Sequence, residues 1–444
     1  MIRNLRTLRL ILISSLLLAF AAIPAARAQE QAPSATPGAS SASSPSRISG
    51  FTLSPEKYQR AKDYSSRKYF HYFVSSFWGL AAFVLLLVLR VGPKCRDWVE
   101  SISKLRWLQG LLYAPIIIFL FSLLTLPADT WDQQLALSFG LSVQGWSSWL
   151  KDWVLNLLPV LIVGTLLILI LYAVLRRSPH RWWFYFWLAS LPVLAFVVFL
   201  APLVVEPMFF KFEPLAQKQP VLVAEIEKVT QRGGISIPPE RMFEMNASSK
   251  TTGLNAYVSG FGASKRVVVW DNTIAKATIP QILFVFGHEM GHYVLLHIPK
   301  MLSIYAVLLL VLYHLGYRCV GWALDHWSAL WGIRALDDWA SLPALLLVIN
   351  LLVFLASPAF NSISRHFEHE ADRYGLEVIH GIVPDGGQVA AQYFQTSGEL
   401  NLADPDPSPF IKVWFFDHPS RKDRVDFVVN YDPWSKGESP VYVK

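Results

Sequence analysis

The sequence contains little charge and little cysteine. Only 16% of its 444 residues are Asp, Glu, Lys or Arg, whereas 53% are hydrophobic. In a soluble domain, about a quarter of the residues are usually charged. The two cysteines, Cys95 and Cys319, are far apart and form no C-x-x-C pair, so cysteine is expected to supply no metal ligand. The net charge is +7, but no basic stripe with interleaved aromatic residues occurs, so no nucleic-acid partner is expected.

The hydrophobic surplus lies in long runs, each near the length that crosses a bilayer. Trp and Tyr gather at the ends of these runs, which is typical of a membrane interface. Six such runs in one chain favour membrane spans over the buried helices of a large soluble protein. The predicted spans are Tyr69–Leu89, Trp107–Leu126, Trp153–Leu175, Phe184–Val205, Met301–Leu324 and Leu342–Phe360.

The remaining sequence divides into four regions. Residues 1–28 have a basic start, an apolar stretch and an A-x-A site, so they resemble a secretory signal, with an uncleaved anchor helix as the alternative. Residues 29–60 are predicted to be a disordered linker. Four spans then occupy residues 61–210 and two occupy residues 301–360. Residues 211–300 and 361–444 are left to form the polar part of the protein.

The polar part carries the pattern H-E-x-x-H at residues 288–292. Positions four apart share one face of a helix, so the two imidazoles can bind one zinc ion while Glu289 reaches the open position of the metal as a general base. Thr278 and Gln281 resemble a capping box, with Pro280 in the first turn. A helix is therefore predicted to begin just before the motif.

A catalytic zinc needs a third protein ligand, and the sequence after the sixth span supplies candidates. Glu368 and Asp372 are four residues apart on a helix predicted to continue from that span. Glu368 is the best candidate ligand, and Asp372 can orient a ligand histidine through its free ring N–H. Three neighbours also remain open as the ligand: His366, His369 and Glu370. Spans five and six form a hairpin, which returns Glu368 to the side of the motif.

Taken in their order along the chain, several motifs resemble those of the CAAX prenyl protease 1 family of integral-membrane zinc metalloproteases. The similarity covers about residues 51–432, although a signal-like start stands where the family usually has a first span. It rests on H-E-x-x-H, on Ser364-Arg365 with Glu368 and Ala371-Asp372, on Asn255-Ala256-Tyr257, on residues 206–215, and on His418-Pro419 with Arg424. It implies a multi-span α-helical membrane protein with six to seven spans that enclose a chamber, and a zincin-like α+β metalloprotease domain.

The resemblance also implies the roles of individual residues. One zinc ion is expected, with Glu289 as the catalytic base, Asp372 behind a ligand, and His418 and Arg424 as candidate donors to the developing oxyanion. A peptide is expected to add as an extra strand beside residues 255–258. The expected metal ligands are His288, His292 and Glu368, and the expected substrate-binding residues are Asn255, Ala256, Tyr257 and Val258.

The expected function is therefore zinc-dependent hydrolysis of peptide bonds. The implied substrates are peptides or proteins, membrane-embedded or lipidated, as in the processing of prenylated CAAX proteins or in quality control of membrane proteins. The alternative is a non-enzymatic transporter or channel with a structural metal site, but such a site needs no base like Glu289.

Loop charges bear on the location, which is expected to be a bacterial inner membrane. Basic residues in the first and third connections between spans favour a periplasmic catalytic side. The acidic connection at residues 325–338 and the eukaryotic relatives favour the cytosolic side.

Overall fold

The computed structural model describes residues 47–199, 201–260 and 265–443. The signal-like segment and most of the predicted linker lie outside these residues. The first described helix, α1 (Pro55–Val88), begins where Ser54 accepts a hydrogen bond from the backbone N–H of Lys57 and Pro55 starts the first turn. Residues 55–60 are therefore helical, and the linker prediction is wrong for them.

The elements follow one another in the order of the predicted regions. The first membrane part continues with α2 (Val91–Ile102), α3 (Arg106–Ser138), α4 (Trp146–Arg177), α5 (Trp182–Phe199) and α6 (Ala201–Phe209). The polar stretch contains β1 (Phe212–Pro214), α7 (Leu215–Lys218), α8 (Pro220–Arg232), β2 (Met242–Met245), β3 (Ala256–Ser259), β4 (Arg266–Trp270), α9 (Asp271–Lys276) and α10 (Ile279–Val294). The chain ends with α11 (His297–Trp331), α12 (Leu342–Ile379), α13 (Gly386–Leu400), α14 (Pro409–Trp414) and α15 (Arg421–Asn430).

Within the described residues, six helices are long and apolar enough to cross a membrane. Five predicted spans each fall within one helix to within a residue, and the described residues of the fourth, Phe184–Val205, lie in α5 and α6. Several spans contain a proline, as α4 does at Pro159, which neighbouring helices tolerate in a membrane bundle. The prediction of a multi-span helical membrane protein is confirmed.

The connections between spans one and two, three and four, and five and six meet at one end of the bundle. Arg96 in α2 forms a buried ion pair of 2.5 Å with Asp338. Arg334 pairs with Asp97 at 3.1 Å, and the guanidinium of Arg176 lies 4.5 Å from the centre of a Trp339 ring. Arg96 therefore offsets the charge of one carboxylate of the acidic connection at residues 325–338.

The polar part folds at the opposite end of the bundle around a small mixed sheet with the order β1-β2-β4-β3. Strands β2 and β4 are parallel, and β3 pairs with β4 in antiparallel orientation. One apolar core joins α8, the sheet, α10, the end of α12, α13 and α15. Two distant stretches of sequence thereby form one unit, with β3 at an edge of its sheet.

A buried ion pair connects this unit to the membrane bundle. Lys250 lies 2.6 Å from Asp152 in the second turn of α4, and the side chain of Gln144 donates to the same carboxylate at 2.7 Å. The Lys250 ammonium also lies 4.8 Å from the centre of the Phe210 ring. Both charged residues are buried, so each depends on the other to offset its lost hydration.

We expect Asp152→Ala to destabilise the fold by about 3–5 kcal/mol, because the substitution removes the carboxylate that pairs with the buried Lys250. The measurement is unfolding in detergent, followed by circular dichroism. The double variant Asp152→Leu/Lys250→Met should recover most of the loss, since it removes both charges. Lys228→Ala, which breaks an exposed pair with Glu225, should cost less than about 1 kcal/mol. Equal losses of stability in Asp152→Ala and Lys228→Ala would contradict this account.

Candidate metal centre

Helix α10 begins at the capping box that the sequence predicts. The Thr278 hydroxyl accepts a hydrogen bond from the backbone N–H of Gln281, whose side chain accepts one from the backbone N–H of Thr278 at 3.0 Å. Every residue from Gln281 to His292 is buried. The motif therefore sits on a helix in the interior of the polar unit, with both histidines shielded from solvent.

Helix α12 carries Glu368 and Asp372 beyond the sixth span, as the sequence predicts. It crosses α10 so closely that a Cβ on Gly375 would lie 3.0 Å from the backbone nitrogen of His288. A Cβ on Gly287 would lie 2.7 Å from Val378. Glycine on both helices thus permits a backbone approach that brings the two sets of side chains together.

Within the described residues, three side chains could hold a metal ion together. They belong to His288, His292 and Glu368, and one ligand atom from each lies within 4.8 Å of the others. The Nε2 atoms of the two histidines are 3.2 Å apart and lie 3.3 and 3.4 Å from the Glu368 oxygens. Two nitrogens and one carboxylate form a ligand set typical of catalytic zinc.

The alternative ligands point elsewhere. His366 is largely exposed and lies 3.8 Å from Glu370. The ring of His369 packs against Phe427 at 4.3 Å between ring centres. Glu370 faces His297 at 3.3 Å, so none of the three approaches the motif histidines.

The Nδ1 atom of His288 is held by a carboxylate. It lies 2.9 Å from Oδ1 of Asp372, the arrangement predicted for that residue. Arg424 donates to both oxygens of the same carboxylate, through Nε at 2.8 Å and through Nη2. Arg424, which was expected as an oxyanion donor, thus also supplies the counter-charge that a buried Asp372 requires.

The candidate ligand His292 also has a side chain behind it, which the sequence did not predict. Its Nδ1 lies 3.2 Å from Nδ1 of His297, a fully buried residue. The other ring nitrogen of His297 faces Glu370, which also accepts a hydrogen bond from the Tyr442 hydroxyl at 3.0 Å. With Nε2 of His292 turned to the metal site, its Nδ1–H can donate to His297.

A left-handed residue explains why His297 reaches the site. Leu296 has a φ of 57° between α10 and α11, a costly conformation for a side chain with a Cβ. An uninterrupted helix would have turned a residue five positions after His292 away from its face. The only sequence signal was a third histidine shortly after the motif.

The electrostatics of the motif favour a bound cation. Burial lowers the pKa of His292 well below its usual value. Burial also acts to lower the pKa of His288, but its hydrogen bonds to Asp372 and Glu368 and their negative charges raise it to about 9. The carboxylates that would hold a proton on His288 would attract a metal cation equally.

Two unpaired polar atoms give a second test of the fit. Oε2 of Glu368 and Nε2 of His418 are buried without a hydrogen-bond partner, although they lie 3.2 Å apart. Nδ1 of His418 lies 2.9 Å from Asp417, which leaves Nε2 directed at the ligand group. Buried polar atoms without hydrogen-bond partners raise the free energy of the folded state. A bound metal ion and its substrate would provide partners for both of these atoms.

Glu289 lies between the two motif histidines with its carboxylate 4.0 Å from Nε2 of His288. Burial raises the pKa of Glu289, while the charge of His288 acts against that rise. A buried carboxylate with a raised pKa beside a metal site can accept and return a proton at neutral pH.

The predicted substrate strand lies at the edge of the sheet. Ala256 and Tyr257 are buried, and the Tyr257 hydroxyl donates to Glu206 at 2.6 Å. Asn255 precedes β3 and bonds through its backbone to Thr273. The side chains of Ala256 and Tyr257 support the strand from within, so any peptide beside β3 would meet backbone more than side chains.

Known proteins share this architecture and sequence. Residues 216–432 match Peptidase family M48, and residues 39–211 match the family described as CAAX prenyl protease N-terminal, five membrane helices. The uncharacterized metalloprotease YhfN of Bacillus subtilis is 32% identical over 84% of this chain and 85% of its own length. A CAAX prenyl protease 1 homolog of Oryza sativa is 25% identical over 86% of this chain and 89% of its own.

A solved structure agrees with the fold. The crystal structure of S. mikatae Ste24p superposes with a TM-score of 0.71 over 85% of this chain and 90% of that one, at 20% identity. The relatives support the peptidase prediction and not the transporter or channel alternative. The chain therefore belongs to peptidase family M48, as a multi-pass membrane metalloendopeptidase of the CAAX prenyl protease family.

Proposed function

We propose that this chain binds one zinc ion through His288, His292 and Glu368 and uses it to hydrolyse peptide bonds. The observation that carries the proposal is the cluster of three buried ligand atoms within 4.8 Å on two crossing helices. A zinc ion held there would supply Lewis acidity to polarise a peptide carbonyl and to make water more acidic. The nitrogen and oxygen donors fit zinc, and no thiolate lies among them.

Glu289 serves as the general base in this proposal. Its buried carboxylate takes a proton from the attacking water and later delivers that proton to the leaving amine. His418 faces the three proposed ligands and offers its Nε2 as the donor to the developing oxyanion. Asp372 and His297 hold the two ligand rings, while Arg424 balances the charge of Asp372.

The proposed substrate is a peptide segment that lies beside β3 in an extended conformation. Asn255, Ala256, Tyr257 and Val258 would then bind substrate through their backbone, which gives broad recognition of sequence. The names of the relatives indicate prenylated CAAX proteins as one substrate class. The signal-like start indicates a bacterial inner-membrane enzyme, for which quality control of membrane proteins is the class that we favour. The chamber implied by the resemblance stays a prediction.

We further propose that the catalytic unit faces the periplasm. Residues 89–106, 176–181 and 325–338, at the opposite end, contain nine Lys or Arg and five Asp or Glu, whereas residues 127–145 contain no Lys or Arg. Short cytoplasmic loops carry such an excess. The basic residues before the first span oppose this assignment, although Lys57 and Lys62 are paired with Glu399 and Asp404.

Glu289→Gln should retain the metal while the rate of peptide cleavage falls by roughly 10²–10⁴-fold, because the amide cannot take the proton. Metal content by mass spectrometry and cleavage of an unfolded reporter peptide give the two readouts. Glu244→Gln, on strand β2, is a matched control that should keep full activity. An active Glu289→Gln enzyme would refute the assigned base.

Glu368→Ala should lose the metal as well as activity, because two histidines alone hold zinc weakly. Glu370→Ala should retain far more metal, since that residue contacts His297 and not the ligand group. Both variants are compared by metal content after dialysis against a chelator. Full occupancy in Glu368→Ala would assign the third ligand to another residue.

The orientation is tested with single cysteines in a chain whose Cys95 and Cys319 are replaced by serine. In sealed bacterial spheroplasts, a membrane-impermeant maleimide should label Ser435→Cys in the exposed tail but label Ser101→Cys in α2 only after lysis. Labelling of Ser101→Cys in sealed spheroplasts, with Ser435→Cys protected, would place the catalytic unit in the cytoplasm.

A further inference from the structure

Helix α14 is a short segment of the catalytic unit that lies against two membrane spans. The ring of Phe410 stacks on Phe73 of α1 with 5.9 Å between ring centres. Trp414 contacts Phe354 of α12 at 5.3 Å. Phe73 and Phe354 both lie inside predicted spans, so α14 sits at the depth where these spans are already apolar.

The outward face of α14 is apolar and exposed. Phe410 is 57% exposed and Val413 is 47% exposed. The surface continues onto the spans beside it, where Phe77 is 57% exposed and Leu355 is 55% exposed. Lys412 turns the other way and pairs with Asp423 of the catalytic unit at 2.8 Å. The helix therefore presents its charge to the protein and its apolar side chains outward.

We propose that α14 is embedded in the bilayer, with Phe410 and Val413 in contact with the acyl chains of membrane lipid. Continuity with the lipid-facing surface of α1 and α12 identifies the occupant, because an apolar patch joined to two spans has hydrocarbon on its open side. The catalytic unit is thereby anchored to the membrane at a point outside its spans.

The anchor is joined to the metal centre by the helix that carries Glu368. Asn361 donates to the carbonyl of Trp414 at 2.5 Å, and Arg365 donates to the carbonyls of Lys412, at 2.8 Å, and Phe416. Asn361 and Arg365 lie two turns and one turn before Glu368 on α12. These hydrogen bonds hold the chain as far as Phe416, and His418 follows two residues later. The lipid-contacting segment therefore also sets where the segment that positions His418 begins.

The test uses the full chain in lipid nanodiscs, with Cys95 and Cys319 replaced by serine. Single variants Phe410→Cys and Val413→Cys carry a small environment-sensitive fluorophore, which is quenched either by spin-labelled lipid or by aqueous iodide. Val307→Cys, 60% exposed on α11, is the lipid-facing control, and Val441→Cys, 55% exposed in the tail, is the aqueous control.

We expect spin-labelled lipid to quench positions 410 and 413 several-fold more than position 441, and to approach the quenching at position 307. Aqueous iodide should quench position 441 more strongly than positions 410, 413 and 307. Quenching of both positions by iodide alone would overturn the proposal, and so would protection from both quenchers, which would indicate a protein partner. Unchanged circular dichroism confirms that each variant folds. The readout needs neither zinc nor activity, so its failure is distinct from failure of the proposed hydrolysis.

Discussion

The candidate metal centre depends on the close contact between α10 and α12. Neither helix alone supplies all three candidate ligand atoms, because α10 supplies two nitrogens and α12 supplies the carboxylate. Gly287 and Gly375 allow the two backbones to meet where a side chain would separate them. Helix α12 is also the sixth span, so the same continuous helix crosses the bilayer in the bundle and carries Glu368. The position of Glu368 therefore follows from how α12 packs in the bundle.

The surrounding charges form an ordered support for this contact. Each ligand histidine is held at Nδ1, His288 by Asp372 and His292 by His297. Each supporting residue has a further neighbour of its own: Arg424 donates to Asp372, and a Glu370 oxygen lies 3.3 Å from Nε2 of His297. Such outer contacts fix the ring orientation and the tautomer of a metal ligand. The pairing of Asp372 with Arg424 also explains how these two charges persist in the interior, because each is the opposite partner of the other.

Much of this arrangement could be predicted from the sequence, because the signals are local. Length and hydropathy identified the spans, helical spacing pointed to His288 and His292, and a capping box located the start of α10. Glu368 was one of several candidates in its segment, and the family resemblance selected it. The role of Arg424 could not be derived in this way, since its partner Asp372 is 52 residues away and its pairing depends on how α15 packs. His297 was missed because its approach depends on one left-handed residue, Leu296. Local patterns thus pointed to the candidate ligands, whereas tertiary contacts decide which residues lie behind them.

The central claim is that one metal ion sits between α10 and α12, and it can be tested directly by X-ray diffraction at the zinc absorption edge. The account predicts a single strong anomalous peak within about 2.0–2.2 Å of Nε2 of His288, Nε2 of His292 and a carboxylate oxygen of Glu368. A peak at another cluster, or a zinc-loaded protein in which Glu368 lies far from the peak, would contradict it.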